Sequence, residues 1–217
     1  MSEDLVVRLR GKTVTITEPM RQSVLEEMPE IGWIENVELR TKVLNAWAAA
    51  LAVSGFRKLG ELKPSGNYDS MPLRTGTQAD HIRSVARLAL GMAEELDMLF
   101  PGFAYDRDVL LAGGLCHDIG KVWEFDPENV DRWRADPSAA GLPSIRHPGY
   151  GVYICLTLEL PETVAHIAGG HSAEGELVTR SLENTIIRWA DHSFWKIVES
   201  GNQLNDVDNW LPPAKIA

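Results

Sequence analysis

The sequence predicts an all-α fold, a bundle of helices preceded by an N-terminal extension, and three observations carry the prediction. From Thr77 onward apolar residues recur at helical spacing in segment after segment. These segments are punctuated by residues that start and stop helices, such as Pro101-Gly102, Pro161 and Gly169-Gly170. The β-branched run VVRLRGKTVTITEP falls within the first 20 residues, where it reads either as a short strand pair or as an extended arm.

Taken in order, residues 37–56 place Val43, Trp47, Ala50 and Leu51 on one face of a helix that Gly55 closes. Residues 58–76, KLGELKPSGNYDSMPLRTG, are rich in Gly, Pro and Ser and read as an irregular loop. The helix over 77–99 carries a stripe of Ile82, Val85, Leu88, Ala89, Met92 and Leu96. Residues 106–117 open with acidic residues, as helix N-termini favour, and then turn almost wholly apolar, which predicts a central helix. Residues 124–146, with three prolines, read as a long polar connection, and further helices are expected over 148–159, 161–168 and 177–199. The division that follows is an extension over 1–76 packed on a catalytic domain over 77–217.

Composition bounds the function. At 217 residues, 44% hydrophobic and 24% charged, the chain has the make-up of an ordinary globular protein. A net charge of −10 repels polyanions, which argues against nucleic acid polymers and anionic membranes as partners and favours a small-molecule substrate. No apolar run approaches the roughly 18 residues of a membrane span, and MSEDLVVRLRGK has no signal-peptide character. Cys116 and Cys155 both sit in apolar runs, as packed free thiols do, and the expected compartment is the cytoplasm.

Several polar residues stand where bland packing does not explain them. Asp191 has Ile187, Phe194, Trp195 and Val198 as its helical neighbours, so its carboxylate needs a cation, hydrogen-bond donors or a metal. His81 lies in line with Val85, Leu88 and Met92 and is either a satisfied core histidine or a ligand. His117-Asp118, ending an apolar helix before the helix-breaking Gly120, brings imidazole and carboxylate to one point, a donor pair that suits Mn, Fe, Zn or Co. His147, before Pro148, and His171, after Gly169-Gly170, occupy helix boundaries and read either as ligands or as solvated loop residues.

The order of His81, then His117-Asp118 in CHDIGK, then Asp191 in WADHS resembles the defining pattern of the HD superfamily of metal-dependent phosphohydrolases, over about residues 77–199. The resemblance implies a helical bundle in which His81, His117, Asp118 and Asp191 hold one metal. His147 and His171 resemble the additional histidines of two-metal members, with Asp118 bridging. Two divalent cations about 3.5–4 Å apart would activate a bridging water and neutralise charge on an attacked phosphate. Lys121 either holds a substrate anion beside Asp118 or is a solvated surface lysine.

Weaker candidates surround these. His166 is an alternative or support to His171, whereas His192 points about 100° away from Asp191 and suits a surface or supporting role. Arg146 and Arg188 either grip phosphate or lie at the surface, and Trp123, Trp133, Trp189 and Trp195 either wall a pocket or fill the core. The first function expected is hydrolysis of a small phosphorylated metabolite or nucleotide by a metal-activated water. The alternative implied by the same resemblance is a diiron oxygenase cleaving a C–C or C–P bond with O₂. A regulatory module with a vestigial site would not need the intact set. The loop over 58–76, which leads directly into the His81 helix, is expected to cover the site.

Overall fold

The computed structural model describes residues 3–205. The N-terminal extension opens with a hairpin, β1 (Leu5–Leu9) antiparallel to β2 (Lys12–Ile16), in a register running from Leu5 opposite Ile16 to Leu9 opposite Lys12. Its two-residue turn places Arg10 at φ 51° and Gly11 at φ 74°, the left-handed pair that matches strand twist. Leu9 and Ile16 are its buried anchors. The strand-pair reading of this segment is therefore the correct one.

The extension continues through α1 (Glu18–Glu27), a 3-10 turn at Pro29–Trp33, and α2 (Val37–Ala52), whose N-cap Asn36 accepts from the Leu39 amide. Sequence reading had not assigned α1, because EPMRQSVLEE buries only Arg21 and Val24 and lacks a clear apolar stripe. The segment over 58–76 is irregular as expected but anchored: it holds a 3-10 turn at Leu59–Glu61, and Ser65 bridges Pro72. Leu73 in turn bridges Leu204, beyond the last helix of the bundle.

The bundle begins with α3 (Gln78–Leu99), started by a capping box between Thr77 and Asp80, and continues with α4 (Arg107–Cys116), capped by Asp106. Then come α5 (Lys121–Glu124), α6 (Pro127–Ala135) and α7 (Pro137–Ala140). These replace most of the long connection expected over 124–146. Two of its prolines lie in the first turns of α6 and α7, where the missing N–H costs nothing, rather than marking loop. The bundle closes with α8 (His147–Thr157), α9 (Glu162–Gly170) and α10 (Leu182–Ser200), the last starting later than expected because Ser181 supplies the N-cap.

Helix α3 packs on α4 and α10, and α4 also lies against α9, which in turn pairs with α8. The buried face of α3 is Ile82, Val85, Ala86, Ala89, Leu90 and Ala93, whereas the expected stripe members Leu88 and Met92 are exposed. The small residues on that face let the neighbouring helices approach closely, which shifts the buried stripe away from the largest side chains. One continuous core runs from Leu9, Val24 and Trp47 of the extension to Ile82, Leu115, Cys116 and Ile154 of the bundle. Polar ties cross the same seam. Trp47 Nε1 donates to Leu115 O at 2.9 Å, and Arg83 and Arg87 of α3 hold buried Glu30. No described helix is long and apolar enough to cross a membrane.

Candidate metal centre

The six residues picked out as ligands converge. His81 projects from the first turns of α3, His117 and Asp118 follow α4, His147 opens α8, His171 caps α9, and Asp191 sits midway along α10. All but Asp191 are essentially buried, and Asp191 keeps 16% of its side-chain surface exposed. His81, His117 and Asp191 offer ligand atoms within 4.8 Å of one another, and so do His117, Asp118 and His171.

Asp118 divides the site. Its Oδ2 lies 3.2 Å from His81 Nε2 and 3.3 Å from His117 Nε2, with Asp191 Oδ1 3.3 Å beyond His81. Its Oδ1 faces the other way, 3.4 Å from His147 Nε2 and 3.7 Å from His171 Nε2. The two oxygens of one carboxylate therefore address two groups of imidazoles.

Electrostatics and hydrogen bonding test whether a cation fits. Burial opposes ionisation of Asp118, yet Lys121 and His117 beside it hold its carboxyl well below the usual range. Burial likewise opposes ionisation of Asp191, and the neighbouring His81 and His117 outweigh it and hold that carboxyl low. For His147, burial lowers the imidazole pKa more than Glu124 raises it, which favours the neutral form that a metal requires. His81 Nε2, His117 Nε2 and Asp191 Oδ1 are buried with no hydrogen-bond partner. Buried polar atoms without partners are costly, and a cation between them removes that cost. Neutral imidazole and ionised carboxylate together suit a divalent metal, so the residues present fit one.

Lys121 lies inside the site rather than on the surface, 1% exposed, with Nζ 2.7 Å from Asp118 Oδ2 and donating to Ser65 O at 2.8 Å. Through Ser65 and Gly66, the latter beside Trp195, the segment over 58–76 reaches the edge of the centre. Trp195 and Phe194 pack on the His81 ring, each with centroids 4.7 Å away. Of the four tryptophans considered, Trp195 alone walls the site. Trp123 and Trp133 are core residues, and Trp189 is exposed.

The other candidates are engaged elsewhere. His166 Nε2 accepts from the Ser181 amide and so fixes the start of α10 instead of supporting His171. His192 is exposed beside Trp189. Arg146 lies 3.3 Å from Glu174 and Arg188 3.2 Å from Glu176. Cys116 and Cys155 are free and buried, and burial pushes the Cys155 thiol up to about 12. Gly120 does not act chiefly as a helix breaker. A Cβ there would lie 2.0 Å from the His147 carbonyl oxygen, so glycine is what lets α5 reach the start of α8.

Two residues of the site escaped the sequence reading. Gln78 is fully buried and donates from Nε2 to Asp118 Oδ2 at 2.9 Å. Its i,i+3 spacing from His81 on one helical face was the available signal. Glu124, also fully buried, accepts from His147 Nδ1 at 2.8 Å, and no sequence signal marked it.

Comparison with known proteins agrees with this geometry. The HD domain matches residues 79–193, more than half of the chain. The dihydroneopterin 2',3'-cyclic phosphate phosphodiesterase of Methanocaldococcus jannaschii is 24% identical over 138 residues, which cover 61% of this chain and 49% of that protein. The chain thus spans about half the length of this curated relative. No solved structure matches it. With all four residues of the H…HD…D pattern gathered at one buried point, and the domain matched across them, this chain belongs to the HD-domain family.

Proposed function

We propose that the chain is a metal-dependent phosphohydrolase acting on a small phosphorylated metabolite or nucleotide at a two-cation centre. The observation that carries the reading is the divided carboxylate of Asp118. In this reading His81, His117, Asp191 and Asp118 Oδ2 hold one cation, and His147, His171 and Asp118 Oδ1 hold the other. Such a pair supplies an activated water and neutralises charge on the phosphoryl oxygens. The name of the archaeal relative, a cyclic phosphate phosphodiesterase, supports phosphoester chemistry and places 2',3'-cyclic phosphates in the first substrate panel.

The chain's own residues supply the rest. Lys121 carries a donor, now on Ser65 O, that a substrate phosphate would take over. Gln78 and Lys121 both hold Asp118 Oδ2, fixing the direction in which Oδ1 points. The burial of the centre under Ser65 and Trp195 excludes water and favours a small substrate over a polymer. The partly exposed edge at Asp191 is the side from which a substrate would approach.

The test combines elemental analysis of protein purified without chelator with phosphate release from a broad phosphoester panel. We expect about two equivalents of Mn, Co, Zn or Fe and metal-dependent hydrolysis. In Lys121→Met, where Gln78 still holds Asp118, the metal should be retained, at most more weakly, while turnover falls roughly 10²-fold, the order lost when a donor to developing charge is removed. A fully loaded protein inert towards every phosphoester would overturn the reading. Iron together with substrate-dependent O₂ uptake would move the chain to the oxidative branch of the family.

A further inference from the structure

The four imidazoles of the centre are not held alike. A ligating histidine presents one nitrogen to the metal and needs its other N–H held, because that second bond sets both the tautomer and the ring orientation. His117 Nδ1 donates to Gly114 O at 2.7 Å and His171 Nδ1 to Ala168 O at 3.0 Å, both backbone carbonyls within their own turns. His81 Nδ1 is buried and has no partner. His147 Nδ1 meets a carboxylate, Glu124 Oε2, at 2.8 Å, and the same oxygen accepts the His147 backbone N–H.

We propose that Glu124 is a positioning residue for the second cation, locking His147 in the Nδ1–H tautomer so that its Nε2 lone pair is aimed at the space between Asp118 Oδ1 and His171. The inference rests on the two-cation reading and assigns this pairing a role within it. Glu124 is fully buried, and its second oxygen, Oε1, has no hydrogen-bond partner; the nearest cation, Arg146 Nε, is 3.9 Å away. Both bonds that Glu124 accepts go to His147, one from the backbone N–H that opens α8 and one from the ring, so the carboxylate fixes that residue and its imidazole together.

The partners of the two rings also fix what lies between them. Gly or Ala carbonyls and carboxylates only accept, so the Nδ1 atoms of His147 and His171 carry the hydrogens. With both rings neutral, as a bound cation requires, their Nε2 atoms face each other, 3.3 Å apart, as two lone pairs. Two acceptors at that distance repel each other unless a metal ion or a shared proton sits between them. Glu124 prevents the simplest escape, in which His147 moves its proton to Nε2 and bonds His171 directly. A carboxylate behind an imidazole also raises the basicity of its ligating nitrogen.

The full chain, stripped of metal, is titrated with Co²⁺ and followed by calorimetry and by the visible absorption of the bound ion, with thermal unfolding of each metal-free protein in parallel. The parent should bind about two equivalents. Glu124→Ala should keep the tighter equivalent unchanged and weaken the second roughly 10- to 100-fold, the range typical of lost outer partners of metal-bound histidine. Glu124→Gln keeps a neutral acceptor and the side-chain volume, so it should weaken the same equivalent less while unfolding like the parent. His147→Ala should abolish that equivalent. A parent that binds two while both Glu124 variants bind two equally tightly overturns the assignment and leaves the two-cation reading intact. Equal loss of both equivalents in Glu124→Gln would make Glu124 a packing residue and also overturn it. A parent that binds only one overturns the inference and the two-cation reading together.

Discussion

The two sides of the candidate metal centre differ in how their ligand candidates are carried. The half around His81, His117 and Asp191 is set into the bodies of α3 and α10 and the end of α4, helices packed against one another along their lengths. The half around His147 and His171 stands on helix ends, the first residue of α8 and the C-cap of α9. A ligand inside a helix is oriented by packing, whereas a ligand at a helix end must be oriented by hydrogen bonds. The difference shows at two of the rings: Phe194 and Trp195 pack against His81, whose Nδ1 has no hydrogen-bond partner, whereas Glu124 stands behind His147; His117 and His171, both helix C-caps, are held alike by carbonyls of their own turns. His81 should therefore hold its orientation without polar partners, and His147 should not.

The largest expected effect erases the comparison. Asp118→Ala removes the carboxylate common to both halves, and metal content should fall from about two equivalents to none with turnover at background. A variant that still holds one equivalent would show that one half stands without Asp118. Next, single deletions should separate the halves: His171→Ala should retain one equivalent, and the double variant His171→Ala with His81→Ala should retain none. If either single change empties the whole site, the halves are one cooperative unit.

A smaller effect distinguishes helix ends from helix bodies. In Gly120→Ala the new methyl would meet the His147 carbonyl and, at 2.7 Å, the Gly151 amide, both backbone atoms that cannot rotate away. We expect about 1–3 kcal/mol of lost stability in denaturant unfolding, together with weakening confined to the second equivalent. Loss of the first equivalent as well would mean that strain spreads through Asp118.

The smallest change lies outside both halves. Burial opposes ionisation of Glu30, but its bonds to Arg83 and Arg87 outweigh this and hold it below the ordinary value of 4.5. A carboxyl that is lowered in the folded state contributes stability above its unfolded pKa and loses it as pH falls through the folded one. The urea midpoint of the parent should drop between about pH 5 and pH 3, and in Glu30→Gln that drop should be shallower. Because both arginines are partly exposed, the loss in Glu30→Gln at neutral pH should be only about 1–2 kcal/mol, with both metal equivalents retained. An identical pH profile in the two proteins would remove the pair from the stability of the seam.

How much of this could be read from the sequence follows from the same contrast. The long helices and His81, His117, Asp118 and Asp191 were legible because an ionisable group on an apolar helical face conflicts with its surroundings and so stands out. His147 and His171 were legible only through proline and glycine punctuation. Helix α6 was not, since PENVDRWRA buries just Asn129, Val130 and Trp133 and offers too narrow a stripe to oppose its charges. Glu124 was hidden for a related reason: on a four-residue helix no periodicity shows which way a carboxylate points. The place of Lys121 was settled by a carbonyl 56 residues away, a contact that no local pattern encodes.

That lysine has a consequence for how the protein is made. Many small metal-binding domains acquire their fold only when metal arrives. Here the ammonium of Lys121, 2.7 Å from Asp118, is an internal counter-ion for that carboxylate, so the metal-free chain should still unfold cooperatively in a thermal melt and take up metal afterwards as a finished vessel.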